Sequence, residues 1–204
     1  MKLKVCGMKF PENIQALSDL APDYMGFIFW EKSARFFEGE IPKLPEKIKK
    51  TGVFVDATID DVQEKIEKHQ LQAVQLHGIE SPEYCHQLQS SKVEIIKVFS
   101  VDSNFDFQEL EPYEEVCNFY LFDTKGKLPG GNGTVFDWEV LKQYNSPKPF
   151  FLSGGIGLDE VEKINKILEA DLPVYAIDVN SKFETKPGLK DVEKLKVFKK
   201  EVLK

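Results

Sequence analysis

Near its start the chain reads LKVCGM, a short apolar run that ends in Cys6 and is followed at once by Gly7. A free cysteine is usually a small buried filler. A thiol at the open end of a strand, beside a residue with no side chain, is also placed to take a proton from a bound molecule. Only a few per cent of an ordinary thiol is ionised at pH 7, so some local stabilisation of the thiolate is expected. Asp123 closes another apolar run, FYLFD. A carboxyl at the edge of an apolar strand is partly withdrawn from water, which favours its protonated form and suits a general acid. Taken alone, such a residue is more often a cap or a hydrogen-bond acceptor at the end of a ladder. Together a proton-taking thiol and a proton-giving carboxyl make an acid/base pair that needs no cofactor.

An anion site is signalled by FFLSGGIGLDEV, where Gly154 and Gly155 stand between a strand-like run and a helical pattern. Unobstructed backbone N–H groups and the positive end of a helix can converge there on a phosphate, although the glycines could also merely shape a turn. The segment DVNSKFETKPGLKD adds Asn180, Ser181 and Lys182 at the start of a possible short extra helix. Arg35, in WEKSARFF, could fork onto a substrate carboxylate or pair with a neighbour such as Glu38. His77 in VQLHG could hydrogen-bond a substrate or only close its strand. A second glycine-rich stretch, KLPGGNGTVFDW, reads as a long loop, of the kind that is either a functional lid or simply mobile.

Eight short runs rich in Val, Ile and Phe carry these residues at their C-terminal ends: 3–6, 24–29, 52–55, 73–76, 94–99, 119–123, 150–153 and 174–178. Several are apolar at nearly every position, which suits parallel strands covered on both faces. Helix signals lie between them. Ile59, Val62 and Ile66 share one helical face, as do Leu195, Phe198 and Val202, and Ser81-Pro82-Glu83 reads as an N-cap with Pro at the first helical position. The alternation fits an open doubly wound sheet or a closed (β/α)8 TIM barrel. Eight units of about 25 residues make a lean barrel, and no Pro/Gly/Ser-rich linker interrupts the series, so residues 1–204 are expected to form one catalytic domain. In a barrel the site lies where the strands end, which is where the polar and glycine residues concentrate.

Composition narrows the classes further. The chain has 204 residues, 30% charged, with a formal net charge of -7, which argues for a soluble protein and against nucleic-acid binding. No run approaches the roughly 20 apolar residues that span a bilayer, and the N-terminus lacks a signal-peptide pattern, so no membrane partner and a cytoplasmic location are expected. Cys6, Cys85 and Cys117 show no CxxC spacing, and His69, His77 and His86 are dispersed. Reduced thiols, no metal and no cofactor are the expectation.

Read together, KVCGM, MGFIF followed by SxR, GVFV, VQLHG, LFDT with the later GGNGxxFDW, LSGGI and PGxKD resemble, in order and spacing, the phosphoribosylanthranilate isomerases of tryptophan biosynthesis. The resemblance covers nearly the whole chain, and KVCG, QLHG and GGxGxxFDW are its most specific parts. It implies an eightfold barrel that catalyses the Amadori rearrangement of N-(5-phosphoribosyl)anthranilate to the 1-deoxyribulose 5-phosphate derivative. It further implies Asp123 as the acid that opens the ribose ring, Cys6 as the base that removes the C2 proton, and Arg35 on the anthranilate carboxylate. Gly154, Gly155 and the segment around Asn180, Ser181 and Lys182 would hold the phosphate, with Asp178 lining the site and His77 near the substrate. The chain departs from the family's S-S-G-V-E pattern, with Lys182 where a glycine is usual. The partner is then a phosphorylated small molecule, and the protein a monomer or homodimer. The alternatives are another cofactor-free phosphosugar isomerase or epimerase barrel, against which Cys6 speaks, and a non-catalytic phosphometabolite-binding protein, which would need neither Cys6 nor Asp123.

Overall fold

Runs that are apolar on both faces need cover on both faces, and a closed parallel sheet inside a layer of helices supplies it. A computed structural model describes residues 1–124 and 138–202, and each of the eight runs forms a strand in it. They are β1 (Lys2–Val5), β2 (Tyr24–Ile28), β3 (Lys49–Phe54), β4 (Ala73–Leu76), β5 (Glu94–Val101), β6 (Phe119–Thr124), β7 (Phe150–Leu152) and β8 (Val174–Val179). Each pairs in parallel with the next, and β8 returns to β1, closing the barrel. The open-sheet alternative is excluded by that last seam.

The expected alternation with helices is only partly present. Five α-helices are described: α1 (Pro11–Ser18), α2 (Ile59–His69), α3 (Pro82–Leu88), α4 (Val161–Glu169) and α5 (Val192–Val202). Ser81 caps α3, accepting from Tyr84 N at 3.3 Å with Pro82 next, and the apolar faces of α2 and α5 pack on the barrel. Between β2 and β3 there is no helix. That segment contains Pro42 and Pro45, which cannot supply a helical N–H, and it covers the barrel as irregular chain through Phe37, Ile41, Leu44 and Ile48. The β5–β6 connection carries only a 3-10 helix, Phe107–Tyr113, with Pro112 inside it. After β8 the extra helix is a single 3-10 turn, Ser181–Phe183. An antiparallel hairpin of β9 (Glu184–Lys186) and β10 (Leu189–Lys190) follows, turned by Gly188 at φ +83.

Because strand side chains alternate, the inward set can be followed upward. Tyr24, Ala73, Ile96, Val98, Leu121, Phe151 and Ala176 form an apolar plug. Two residues further along their strands come Gly26, Gln75, Asp123 and Asp178, and on β1 Lys4 is followed by Cys6. The interior thus changes from apolar to polar towards the C-terminal mouth.

Candidate active site

Cys6 is buried at the end of β1, its N–H donating to Val179 O at 2.9 Å. Space for its sulfur is made on the neighbouring strand, since a Cβ on Gly26 would lie 2.8 Å from Cys6 Sγ. The next residue, Gly7, has φ +74, and a Cβ there would strike Arg35 and Asn180 side-chain atoms at 2.7 Å. Below the thiol, Lys4 is wholly buried and donates from Nζ to Asp178 Oδ2 at 2.9 Å. Burial pushes the Cys6 thiol upward, and the nearby ammonium groups of Lys4 and Lys190 oppose it without prevailing. The expected thiolate stabilisation is therefore present but outweighed by desolvation.

Asp178 is an electrostatic neighbour of both Cys6 and Asp123. Burial raises its pKa against the pull of Lys4, and its electrostatic neighbours include Asp123 and His77. Its second oxygen, Oδ1, is buried with no hydrogen-bond partner. Asp123 is buried at the end of β6 and accepts from Thr124 N at 2.9 Å through Oδ1, the ladder-end role in part. Its Oδ2 lies 3.4 Å from His77 Nε2, and Gln75 holds the other ring nitrogen at 3.3 Å. His77, ambiguous in the sequence, is thus the neighbour of Asp123.

The peptide groups on both sides of His77 are clasped by a buried ion pair. Lys97 Nζ donates to Leu76 O at 3.4 Å, Gly78 O at 2.7 Å and Glu80 Oε2 at 3.0 Å. Glu80 also accepts from Gly78 N and, at 3.0 Å, from Asp56 N. Gly78 admits no side chain, because a Cβ would meet Asp56 Oδ1 at 2.1 Å.

Arg35 does not pair with Glu38. It forks onto Glu184, Nε at 2.9 Å from Oε1 and Nη2 at 2.7 Å from Oε2. Glu184 also takes Lys190 Nζ at 2.6 Å, so one carboxylate holds two cations, which keep it below the usual carboxylate range despite burial. Lys190 is itself lowered to about 8, burial outweighing Glu184. Asn180 was grouped with the phosphate residues, but its Oδ1 accepts from Lys190 at 2.7 Å, so that atom belongs to the network around Arg35.

Gly154 and Gly155 follow β7 with φ of 94 and 65, backbone that only glycine adopts freely. A Cβ on Gly154 would sit 2.3 Å from Thr124 Oγ1. Ser181 and Lys182 lie in the 3-10 turn after β8, and Lys182 packs its Cβ 3.3 Å from where Gly157 would carry one. The glycine-bearing loop after β7 and the 3-10 turn after β8 therefore meet at the β7–β8 side of the mouth. The stretch KLPGGNGTVFDW falls almost wholly within 125–137 and lies outside the described residues.

Of the sequence-derived residues, Cys6, His77, Asp123 and Asp178 gather at one mouth, Arg35 and Asn180 join the Glu184–Lys190 network beside it, and Gly154, Gly155, Ser181 and Lys182 form its far edge. Lys4, Gln75, Glu80, Lys97, Glu184 and Lys190 were missed. The period-2 rule would have found Lys4, a lysine on the same strand face as Cys6; Glu184 and Lys190 lay inside quoted motifs without a role.

The chain was compared with known proteins on this footing. The N-(5'-phosphoribosyl)anthranilate isomerase of Parabacteroides distasonis is 43% identical over 100% of this chain and 94% of its own. The phosphoribosylanthranilate isomerase of Thermus thermophilus superimposes with a TM-score of 0.85 at 27% identity, over 100% of this chain and 98% of its own. A phosphoribosylanthranilate isomerase solved in complex with reduced 1-(o-carboxyphenylamino)-1-deoxyribulose 5-phosphate superimposes with a TM-score of 0.81 at 28% identity, with the same coverage. The family model for N-(5'-phosphoribosyl)anthranilate isomerase matches residues 3–201. A closed barrel with a thiol and a carboxyl at its mouth, and sequence similarity over its whole length, together mean that the chain belongs to the N-(5'-phosphoribosyl)anthranilate isomerase family.

Proposed function

We propose that this isomerase converts N-(5'-phosphoribosyl)anthranilate to 1-(2-carboxyphenylamino)-1-deoxyribulose 5-phosphate with Asp123 as acid and Cys6 as base. The observation that carries this reading is the convergence of Cys6, Asp123 and His77 around Asp178 in a chain of this family. Asp123 gives its proton to the ribose ring oxygen, the C1'–O bond breaks, and the anilino nitrogen's lone pair forms the Schiff base. Cys6 then takes the C2' proton, the electrons return to nitrogen as the enolamine, and tautomerisation gives the ketone. His77 Nε2 beside Asp123 orients the acid and shares its charge once the proton has left. Asp178 lines the floor of the site.

The phosphate lies against the backbone N–H groups of Gly154, Gly155 and Ser181, with Lys182 at the rim. Arg35, braced by Glu184 through Nε and Nη2, keeps Nη1 for the anthranilate carboxylate. The barrel acts as one catalytic domain in the cytoplasm, as a monomer or homodimer, on a small phosphorylated substrate. Neither nucleic acid nor membrane is a partner, which a net charge of -7 supports, and no described helix is long and apolar enough to cross a membrane. The direct test follows the fluorescence of phosphoribosylanthranilate with purified protein. Loss no faster than the spontaneous decay would overturn the assignment.

Two substrate contacts give separate expectations. Arg35→Lys keeps charge but loses the planar fork, so binding of a product analogue should weaken by about tenfold, and less for an analogue without the carboxylate. Equal losses for both analogues would remove Arg35 from that role. Lys182→Gly, which restores the residue usual in the family, should weaken inhibition by a phosphorylated product analogue a few-fold at low salt and less at high salt, with kcat unchanged. Identical inhibition constants at low salt would make Lys182 a solvated side chain.

A further inference from the structure

A lysine wholly inside a barrel needs a strong partner, because an ammonium removed from water without one is heavily penalised. Lys4 has one in Asp178, at 2.9 Å. The pair is a poor device for stability alone, since apolar side chains of similar volume would serve at least as well and Asp178 Oδ1 is left buried without a partner. Its location is informative. Lys4 lies on β1 and Cys6, two residues on, directly follows the strand, so both face the same interior, and Cys6 N is tied to Val179 O, the residue after Asp178. The ammonium of Lys4 is thereby close enough to act on both Asp178 and the Cys6 sulfur.

We propose that Lys4 is a positioning residue for the thiol base: its buried ammonium, fixed by Asp178, is the countercharge against which Cys6 ionises. The proposal rests on the reading of Cys6 as the base. Lys4 faces Cys6 from its own strand, Asp178 from β8 and Lys190 from β10. Behind Lys190 stand Glu184 on β9 and Arg35 from the loop after β2, while Asp123 and His77 face Asp178 from β6 and the end of β4. Lys4, Lys190 and Arg35 are three cations against the three carboxylates Asp178, Glu184 and Asp123, so a thiolate at Cys6 depends on which cation acts on the sulfur itself. Among the influences opposing burial at Cys6, Lys4 is the largest, ahead of Lys190. Removing it must therefore move ionisation of the thiol to higher pH.

The test follows the thiol itself. In protein labelled with [3-13C]cysteine, the Cys6 Cβ resonance, assigned by its loss in Cys6→Ala, is titrated upward from about pH 7 until it levels off in each protein. Cys85 and Cys117, which burial holds up at about 11 and about 12, are told apart from Cys6 because their resonances persist in Cys6→Ala. In Lys4→Met the midpoint should rise by about one unit or more, leaving at most about a tenth of the thiolate at a given lower pH, and the acid limb of kcat/KM should rise with it. Lys4→Met/Asp178→Asn removes both charges, so no carboxylate is left buried alone. Its midpoint should fall between Lys4→Met and wild type, because Asp178 pushes the thiol upward. Midpoints equal to wild type in both variants overturn the proposal whatever the kinetics show. A midpoint that moves while the kcat/KM limb stays supports the countercharge and overturns Cys6 as the base.

Discussion

Asp123→Asn and Cys6→Ala each lower kcat by roughly 10²- to 10⁴-fold and leave binding of a product analogue nearly intact. An asparagine side chain in place of Asp123 keeps an oxygen for Thr124 N and a group facing His77, so the geometry survives and only the transferable proton is lost. Cys6→Ala removes the sulfur that Gly26 accommodates, without introducing bulk. Each residue serves one proton transfer in a single sequence, so the double variant should be little worse than the poorer single one. Steady-state kcat and KM for the three proteins check this. Near wild-type kcat in either single variant removes that residue from the chemistry.

The largest effect on stability is expected from Glu80→Ala. Lys97 would be left buried without a counterion, while Asp56 N and Gly78 N lose their acceptor. Breaking a buried pair from one side typically costs about 3–5 kcal/mol, which for a chain of this length corresponds to a fall in Tm of roughly 10 °C. Glu80→Gln keeps an acceptor and a hydrogen-bond partner for Lys97, so its Tm should fall less. Thermal unfolding followed by circular dichroism measures both. A Glu80→Ala protein that melts within about 2 °C of wild type would show that water takes over these groups.

The strands were legible because parallel strands covered on both faces leave an unbroken apolar signature, and the residues after them were legible because a barrel places its chemistry there. The connections were less so. A segment between two strands has only to cover the barrel, and 29–48 does this through Phe37, Ile41, Leu44 and Ile48 without forming a helix. Cys6, Asp123 and the Gly154–Gly155 loop could be picked out singly because each carries its signal in its own type and neighbours. The partners could not. Arg35 and Glu184 are 149 residues apart in sequence, and nothing local in WEKSARFF points to a carboxylate beyond β8. For the same reason the sequence offered Glu38 as the bland partner of Arg35.

The seam between β1 and β8 bears on how the enzyme is made. Lys4 meets Asp178 across 174 residues, and Asn13 exchanges hydrogen bonds with Lys190 across 177. During synthesis the thiol emerges well before Asp178, Glu184 and Lys190. A nascent chain that stops before β8 has every strand of the sheet but one and none of the Lys4–Asp178 or Arg35–Glu184 pairs, so its Lys4 has no counterion and its sheet two open edges. Activity should therefore arrive only after the segment from β8 to Lys190 has left the ribosome tunnel, and release of that segment, rather than formation of the early strands, times the appearance of a working site.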